Sequence, residues 1–178
     1  MSTVPDSSNG RSVCQSCGFM GPQWFAQYPN LQLFSCSECQ SLSYLPSDSF
    51  DQQSLYTQNY FSGGEYADYV GHRTVHEANA KAKWEMLKPY LQSPVRLFEI
   101  GCAYGFFVNY VLKNGAKQAC GIDVCMDAIQ YARRSFGPVF GLSSDPDVSG
   151  FQFNCLVAWD VWEHLVDPIE YFSKYILF

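Results

Sequence analysis

Two groups of residues in this chain are spaced for chemistry. The first is Glu99-x-Gly101-x-Ala103-x-Gly105, a small-residue turn that ends a short apolar run over residues 97–100 and leads into a helical stretch. Asp123 closes the next apolar run, 22 residues after Gly101. In open α/β sheets that spacing brings turn and acid to the carboxyl ends of adjacent parallel strands. There a ligand can approach the backbone, and the carboxylate can accept hydrogen bonds from two ribose hydroxyls. The pattern points to a nucleoside-containing cofactor. The second group is Cys14-x2-Cys17-x18-Cys36-x2-Cys39, the spacing of a structural zinc site. Four thiolates close a tetrahedral shell and leave no position for a catalytic water, so Zn2+ here is expected to be structural. Disulfides or free thiols are the alternative. Trp24, Phe25, Tyr28, Leu31, Leu33 and Phe34 lie between the two cysteine pairs and are expected to cover the site. A cover of this length could not fold alone, so metal binding would supply the missing stability.

The dinucleotide fingerprint places a small third residue where the helix packs against the strand. Counted from Gly101 that residue is Phe106, which is too bulky, and a nicotinamide-dependent oxidoreductase is disfavoured. The spacing E-x-G-x-A-x-G instead resembles motif I of class I S-adenosylmethionine (SAM)-dependent methyltransferases, written D/E-x-G-x-G-x-G. Ala103 replaces the middle glycine, which requires a negative φ at that position. The run from Phe151 to Pro168, with Asp160-Val-Trp-Glu163-His164-Leu-Val-Asp167-Pro168 at its end, resembles the same family's fourth-strand motif. Tyr60-Phe61-Ser-Gly-Gly resembles the lead-in of its zinc-containing members, so the resemblance covers residues 14–178. It implies an α/β fold: a Rossmann-like, doubly wound, mainly parallel sheet, a partial methyltransferase fold, behind a small N-terminal zinc ribbon. It also implies that Glu99, Gly101, Ala103 and Gly105 lie near the methionine part of SAM while Asp123 holds the ribose. The substrates it implies are sugars, sugar nucleotides or related metabolites, methylated at O or C.

Other residues admit two readings each. By the family resemblance Tyr60 covers the SAM carboxylate; otherwise it is an ordinary packing aromatic. The same resemblance places Asp145 at the adenine amino group; otherwise it belongs to plain turn chemistry in Ser143-Ser-Asp-Pro-Asp. Trp159 and Asp160 leave the fourth strand at its carboxyl end, where such sheets bind ligands. His164 is a general base toward the acceptor or a histidine bonded to backbone. Glu99 sits in an apolar strand, where an unpaired charge is expensive, and so needs a loop donor or the cofactor's ammonium group. His72 and His76 share a helical face without a third ligand in sequence, which reads as a polar face.

These residues must be positioned by alternating strands and helices, which implies a parallel sheet. Strands are expected over 97–100, 119–124, 139–142 and 153–159, and helices over 106–113 and 127–135, with another from Asp167-Pro168. Val75, Ala78, Ala82, Met86 and Tyr90 recur at helical spacing in a helix that stops before Pro94, and Ile169, Phe172 and Ile176 are expected to face inward. The organisation reads as a disordered tail (1–12), a zinc ribbon (13–45), a linker with helical lead-in (46–94) and an incomplete SAM-binding domain (95–178). Only four of the family's seven strands are visible, so the chain is expected to be a fragment, or to self-associate through the edge of its last strand. A net charge of −6 without Lys/Arg runs excludes a nonspecific nucleic-acid footprint. No apolar run reaches membrane-spanning length and no signal segment is visible, so a cytoplasmic protein is expected. The partner expected is a small-molecule acceptor. A noncatalytic zinc- and SAM-binding module, acting through protein association, is the competing reading.

Overall fold

The computed structural model describes residues 13–29, 31–46, 69–144, 151–165 and 167–176. They fall into two compact units, one drawn from Met1–Asp51 with His164–Phe178, the other from Gln52–Glu163. Tyr60, Asp145 and the tail 1–12 lie outside the described residues.

In the first unit, β1 (Gln23–Tyr28), β2 (Leu31–Ser35) and β3 (Leu42–Pro46) form an antiparallel sheet in that order, with an irregularity in β1 between Trp24 and Ala26. The expected aromatic cover is mostly outside: Trp24, Phe25 and Tyr28 are exposed, and only Phe34 of that set is buried. A sheet of three short strands has too little interior to hide both of its faces. The same unit includes the helix Pro168–Ser173, started by Asp167, whose Oδ1 accepts the Glu170 N–H at 2.9 Å. Proline at its first turn has no N–H to leave unsatisfied. Of the residues expected to face inward, Phe172 is buried while Ile169 and Ile176 are exposed.

The second unit begins with α1 (Arg73–Leu87), continued by a 3-10 turn (Lys88–Tyr90). Then follow β4 (Arg96–Ile100), α2 (Phe106–Lys113), β5 (Gln118–Asp123), α3 (Met126–Phe136), β6 (Phe140–Leu142) and β7 (Cys155–Ala158). All pairings in this sheet are parallel, in the order β6-β5-β4-β7. The chain runs outward from β4 to β6 and then returns to the other side of β4. That reversal makes a topological switch point between β4 and β7. Asn154 fixes the start of β7: its side chain accepts from Arg96 N–H (2.8 Å) and donates to the Pro94 carbonyl (3.0 Å). α3 carries Asp127 in its first turn and Arg133 and Arg134 in its last, which suits the helix dipole.

The core joins Ala80 and Trp84 of α1, Leu97 of β4, Phe107, Val108 and Val111 of α2, and Ile129 and Ala132 of α3. The residues that marked α1 by their period are not the ones it buries. Val75, Met86 and Tyr90 are exposed, while Ala80 and Trp84 turn inward and Trp84 Nε1 donates to the Asn114 carbonyl at 3.1 Å. Two lines on this helix carry apolar residues, and the one that meets α2 is the one buried. Among the described residues no helix is long and apolar enough to cross a membrane.

Candidate functional site

The switch point collects the residues singled out from the sequence. Glu99 lies on β4 in register with Gly121 of β5 and Val157 of β7, and it shares the strand face of Leu97, which packs in the core. Its carboxyl is buried, and Oε2 has no hydrogen-bond partner among the described residues. Burial pushes its pKa up to about 8, with the Lys83 charge opposing and the Asp123 charge adding to the rise. A carboxyl in that state is held largely neutral until a cation arrives beside it.

Beyond Ile100 the chain turns through Gly101–Gly105. Gly101 N–H and Cys102 N–H both donate to the Ile122 carbonyl (2.8 and 3.0 Å), and Ala103 N–H donates to Asp123 Oδ2 at 2.8 Å. The turn is thus tied to the end of β5. Gly101 (φ +74) lies beneath Val161, which a Cβ would strike. Gly105 (φ +79) is the N-cap of α2, and a Cβ there would lie 2.6 Å from the Phe140 ring. Ala103 departs from expectation: its φ is +45, in the left-handed region, so the requirement for a negative φ is not met. The backbone keeps the conformation that a glycine loop adopts, and the alanine bears the strain.

Asp123 is buried at the end of β5. Its Oδ1 accepts Cys125 N–H at 2.9 Å, and Oδ2 accepts the Ala103 bond. Burial raises its pKa, against the bonds from the Cys125, Ala103 and Val124 N–H groups. Each oxygen retains further acceptor capacity. Val124 and Met126, exposed beside it, offer apolar surface. Trp159 and Asp160 follow β7, as expected. Asp160 has φ +57, and Lys83 Nζ stands 3.7 Å from its Oδ2 and 4.9 Å from the Trp159 ring centroid. Sequence reasoning missed Lys83, because a lysine beside an apolar helix line carries no signal of its own. It also missed the stack of Tyr69 on His76 (3.8 Å), with Tyr104 and Phe106 against it. His76 is therefore packed against rings rather than part of a polar face, and burial lowers its pKa. The structure brings together Glu99, Gly101, Ala103, Gly105, Asp123, Trp159 and Asp160. His164 ends the 3-10 turn Trp162–His164 and belongs to the segment assigned to the first unit.

The four cysteine sulfurs Cys14, Cys17, Cys36 and Cys39 lie within 4.8 Å of one another, and the Cys14–Cys39 and Cys17–Cys36 pairs are each 3.7 Å apart. Sulfurs about 2.3 Å from a central ion in a tetrahedron would be about 3.8 Å apart, so the donor set fits a closed four-thiolate site. Two like turns create it. Gly18 N–H donates to the Cys14 carbonyl and Gln40 N–H to the Cys36 carbonyl, and both residues have positive φ. The Ser41 hydroxyl, also missed in the sequence, lies 3.4 Å from Cys14 Sγ and 3.1 Å from Cys39 Sγ. Cys14 is lowered to about 6: burial opposes ionisation, but the Ser41 hydroxyl and the Ser16 and Cys17 N–H groups outweigh it. Cys17 is favoured by the Phe19 N–H, yet the sulfurs of Cys39, Cys14 and Cys36 push it up to about 12. Four crowded thiols cannot all ionise without a cation among them.

A profile described as Methyltransferase domain matches residues 70–176. A search of curated protein sequences returns no match. Among solved structures, Streptomyces venezuelae DesVI is 16% identical, with 72% of this chain and 54% of that chain covered and a TM-score of 0.45. The plantazolicin methyltransferase BpumL in complex with SAH is 18% identical, with 70% and 55% covered and a TM-score of 0.42. Magnesium protoporphyrin IX methyltransferase (ChlM) from Synechocystis PCC 6803 with bound SAM is 14% identical, with 71% and 73% covered and a TM-score of 0.45. The chain spans about half the length of the first two of these structures. At such values the likeness selects no acceptor.

Proposed function

The chain belongs to the methyltransferase domain family, matched over residues 70–176, and from that premise we propose that it binds SAM at the carboxyl edge of its parallel sheet and transfers the methyl group to a small-molecule acceptor. The observation that carries this reading is Glu99, a buried carboxyl at the switch point of the sheet with one oxygen that has no partner among the described residues. An orphaned acceptor of that kind suits a ligand cation such as the α-ammonium of SAM. Asp123 would take the ribose hydroxyls with its remaining lone pairs. The Gly101–Gly105 turn would let the cofactor approach the backbone, and Trp159 and Asp160 would border it. Tyr60 at the cofactor carboxylate and Asp145 at the adenine complete the proposed set.

Bound SAM supplies a sulfonium-activated methyl group. The protein's part is then alignment of the acceptor and exclusion of water. His164 is proposed as the base where the acceptor must lose a proton. A sugar or sugar nucleotide, methylated at O or C, is the acceptor favoured by the likeness of Tyr60-Phe61 and the cysteine array to zinc-containing family members. Cys14, Cys17, Cys36 and Cys39 are proposed to hold one structural Zn2+, with Ser41 hydrogen-bonded to two of the sulfurs.

Calorimetric titration with S-adenosylhomocysteine (SAH) and with NAD tests the cofactor. SAH should bind and NAD should not, and Asp123→Ala should weaken SAH by on the order of 1.5–3 kcal/mol for a lost charge-assisted bond. Binding of NAD alone would overturn the reading. Binding of SAM without methyl transfer to any of a panel of sugars and sugar nucleotides would favour the noncatalytic module.

A further inference from the structure

The two cysteine knuckles are built alike in their backbones. In the first, Cys14 N–H donates to the Phe19 carbonyl (2.8 Å) and Gly18 N–H to the Cys14 carbonyl (2.9 Å). In the second, Cys36 N–H donates to the Ser41 carbonyl (3.0 Å) and Gln40 N–H to the Cys36 carbonyl (3.0 Å). Phe19 and Ser41 therefore hold equivalent places, and their side chains break the likeness. Phe19 has no polar group. The Ser41 hydroxyl stands 3.1 Å from Cys39 Sγ in its own knuckle and 3.4 Å from Cys14 Sγ in the other. Thiolate sulfurs carry no proton, so around a bound ion only the hydroxyl can donate in these contacts, and Cys39 is its nearer acceptor. The sequence around the site makes that donor matter. Four thiolates on one divalent ion leave an excess of about two negative charges. Residues 13–46 contain no Lys, Arg or His, and their one charged side chain, Glu38, adjoins Cys39. Within this segment the excess can be relieved only by N–H and O–H donors.

We propose that Ser41 is a positioning residue of the metal site, resting on the zinc reading above: its hydroxyl, donated to Cys39 and within reach of Cys14, links the two knuckles and spreads the thiolate charge, so that the ion is held more tightly. Ser41 touches no ion and acts through the two sulfurs. Donors one step behind the ligands commonly set metal affinity by about 10–100-fold. The Ser41 carbonyl already closes the second knuckle through Cys36 N–H, and that bond survives any change of side chain. A substitution therefore removes the hydroxyl alone. A hydrogen bond that draws charge from Cys39 also makes its sulfur a poorer nucleophile. Cys17 and Cys39 are both exposed and would otherwise meet a reagent alike. Ser41 leaves Cys17 the more reactive of the two.

The test compares Ser41→Ala with wild type and Ser41→Val with Ser41→Thr, because valine and threonine share a shape and differ by the hydroxyl. Zn2+ affinity of the full chain is measured by chelator competition, and the absorption spectrum is read with Co2+ in place of Zn2+. Both variants without a hydroxyl should bind Zn2+ about tenfold more weakly than their partners. Their thiolate-to-Co2+ charge-transfer band should move to longer wavelength, since a sulfur freed of a hydrogen bond gives up its electron more readily. Alkylation of Cys39 in the zinc-loaded protein should quicken while that of Cys17 stays the same. Ser41→Thr should keep the wild-type band and affinity. A serine needed only for folding would, when replaced, lower affinity and melting temperature without moving the band, so an unmoved band overturns the inference whatever the affinity does. A band that moves as far in Ser41→Thr as in Ser41→Val overturns it too. A wild type that takes up neither ion would overturn the zinc reading and this inference together.

Discussion

Glu99 concentrates the conflict between fold and function at the scale of one residue. Its pKa in the folded protein, about 8, lies above the ordinary 4.5, because burial penalises the charge more than Lys83 relieves it. Between those values the folded protein holds a proton that the unfolded chain has released. The resulting stability is full below about pH 4.5 and is lost as pH rises through about 8. Glu99→Gln, neutral at every pH, is therefore expected to flatten that decline. It should exceed wild type by a few kcal/mol at pH 9 and differ little at pH 4.5, since each pH unit separating the folded and unfolded values is worth about 1.4 kcal/mol. Urea unfolding across pH measures this. Parallel curves would mean that Glu99 ionises freely in the folded protein. Ala103 is the second strained residue. Its left-handed backbone (φ +45) costs an L-residue about 1–2 kcal/mol, partly offset by the entropy a glycine would lose. Ala103→Gly is expected to stabilise the protein by about 0.5–1 kcal/mol in the same unfolding assay, with its N–H still bonded to Asp123. A loss of stability would show that the methyl group makes contacts worth more than the strain.

At the scale of elements, what was legible followed from local chemistry. The helix over 106–113 could be read because Gly105 precedes it and Asn114-Gly115 stops it, and both signals are backbone requirements. The strands at 97–100 and 119–124 could be read because apolar runs bounded by turn residues leave little choice. The inward face of α1 could not. Val75, Met86 and Tyr90 have the right period, but burial of Ala80 and Trp84 is decided by where α2 lies, and no local pattern encodes that. The two sides of the site differ in the same way. Glu99, Asp123 and the small-residue turn carry sequence spacing, whereas Lys83 meets Trp159 and Asp160 only through the packing of α1 on α2. Gly105 shows how tightly the elements meet. Gly105→Ala would place a Cβ 2.6 Å from Phe140 and 3.1 Å from Ala132, in addition to the strain of φ +79. Crowding alone should cost about 1–3 kcal/mol, read as a lower melting temperature with weaker SAH binding. An unchanged melting temperature would mean that Phe140 can swing aside.

At the scale of the whole molecule, the two units are stabilised by different means. The parallel-sheet unit packs apolar side chains from both helices and strands into one cluster. Residues 13–46 bury little besides Pro22, Phe34, Cys14 and Cys36, while Met20, Trp24, Phe25, Tyr28 and Leu42 stay exposed. So small an interior cannot offset the conformational entropy of ordering the ribbon. Under the proposed zinc reading the metal does: bonds formed only in the folded state contribute directly to folding. Purified protein is accordingly expected to hold about one zinc per chain, as a closed four-ligand site demands. A strong chelator should release it and open amide exchange through β1, β2 and β3, while amides in β4 and β5, whose side chains line the apolar cluster, stay protected. Cys14→Ser should reproduce that pattern without a chelator. If the ribbon amides remain protected after the metal has been stripped, or if Cys17 and Cys39 are alkylated at the rate of free thiols in the native protein, these four sulfurs are not the ribbon's source of stability.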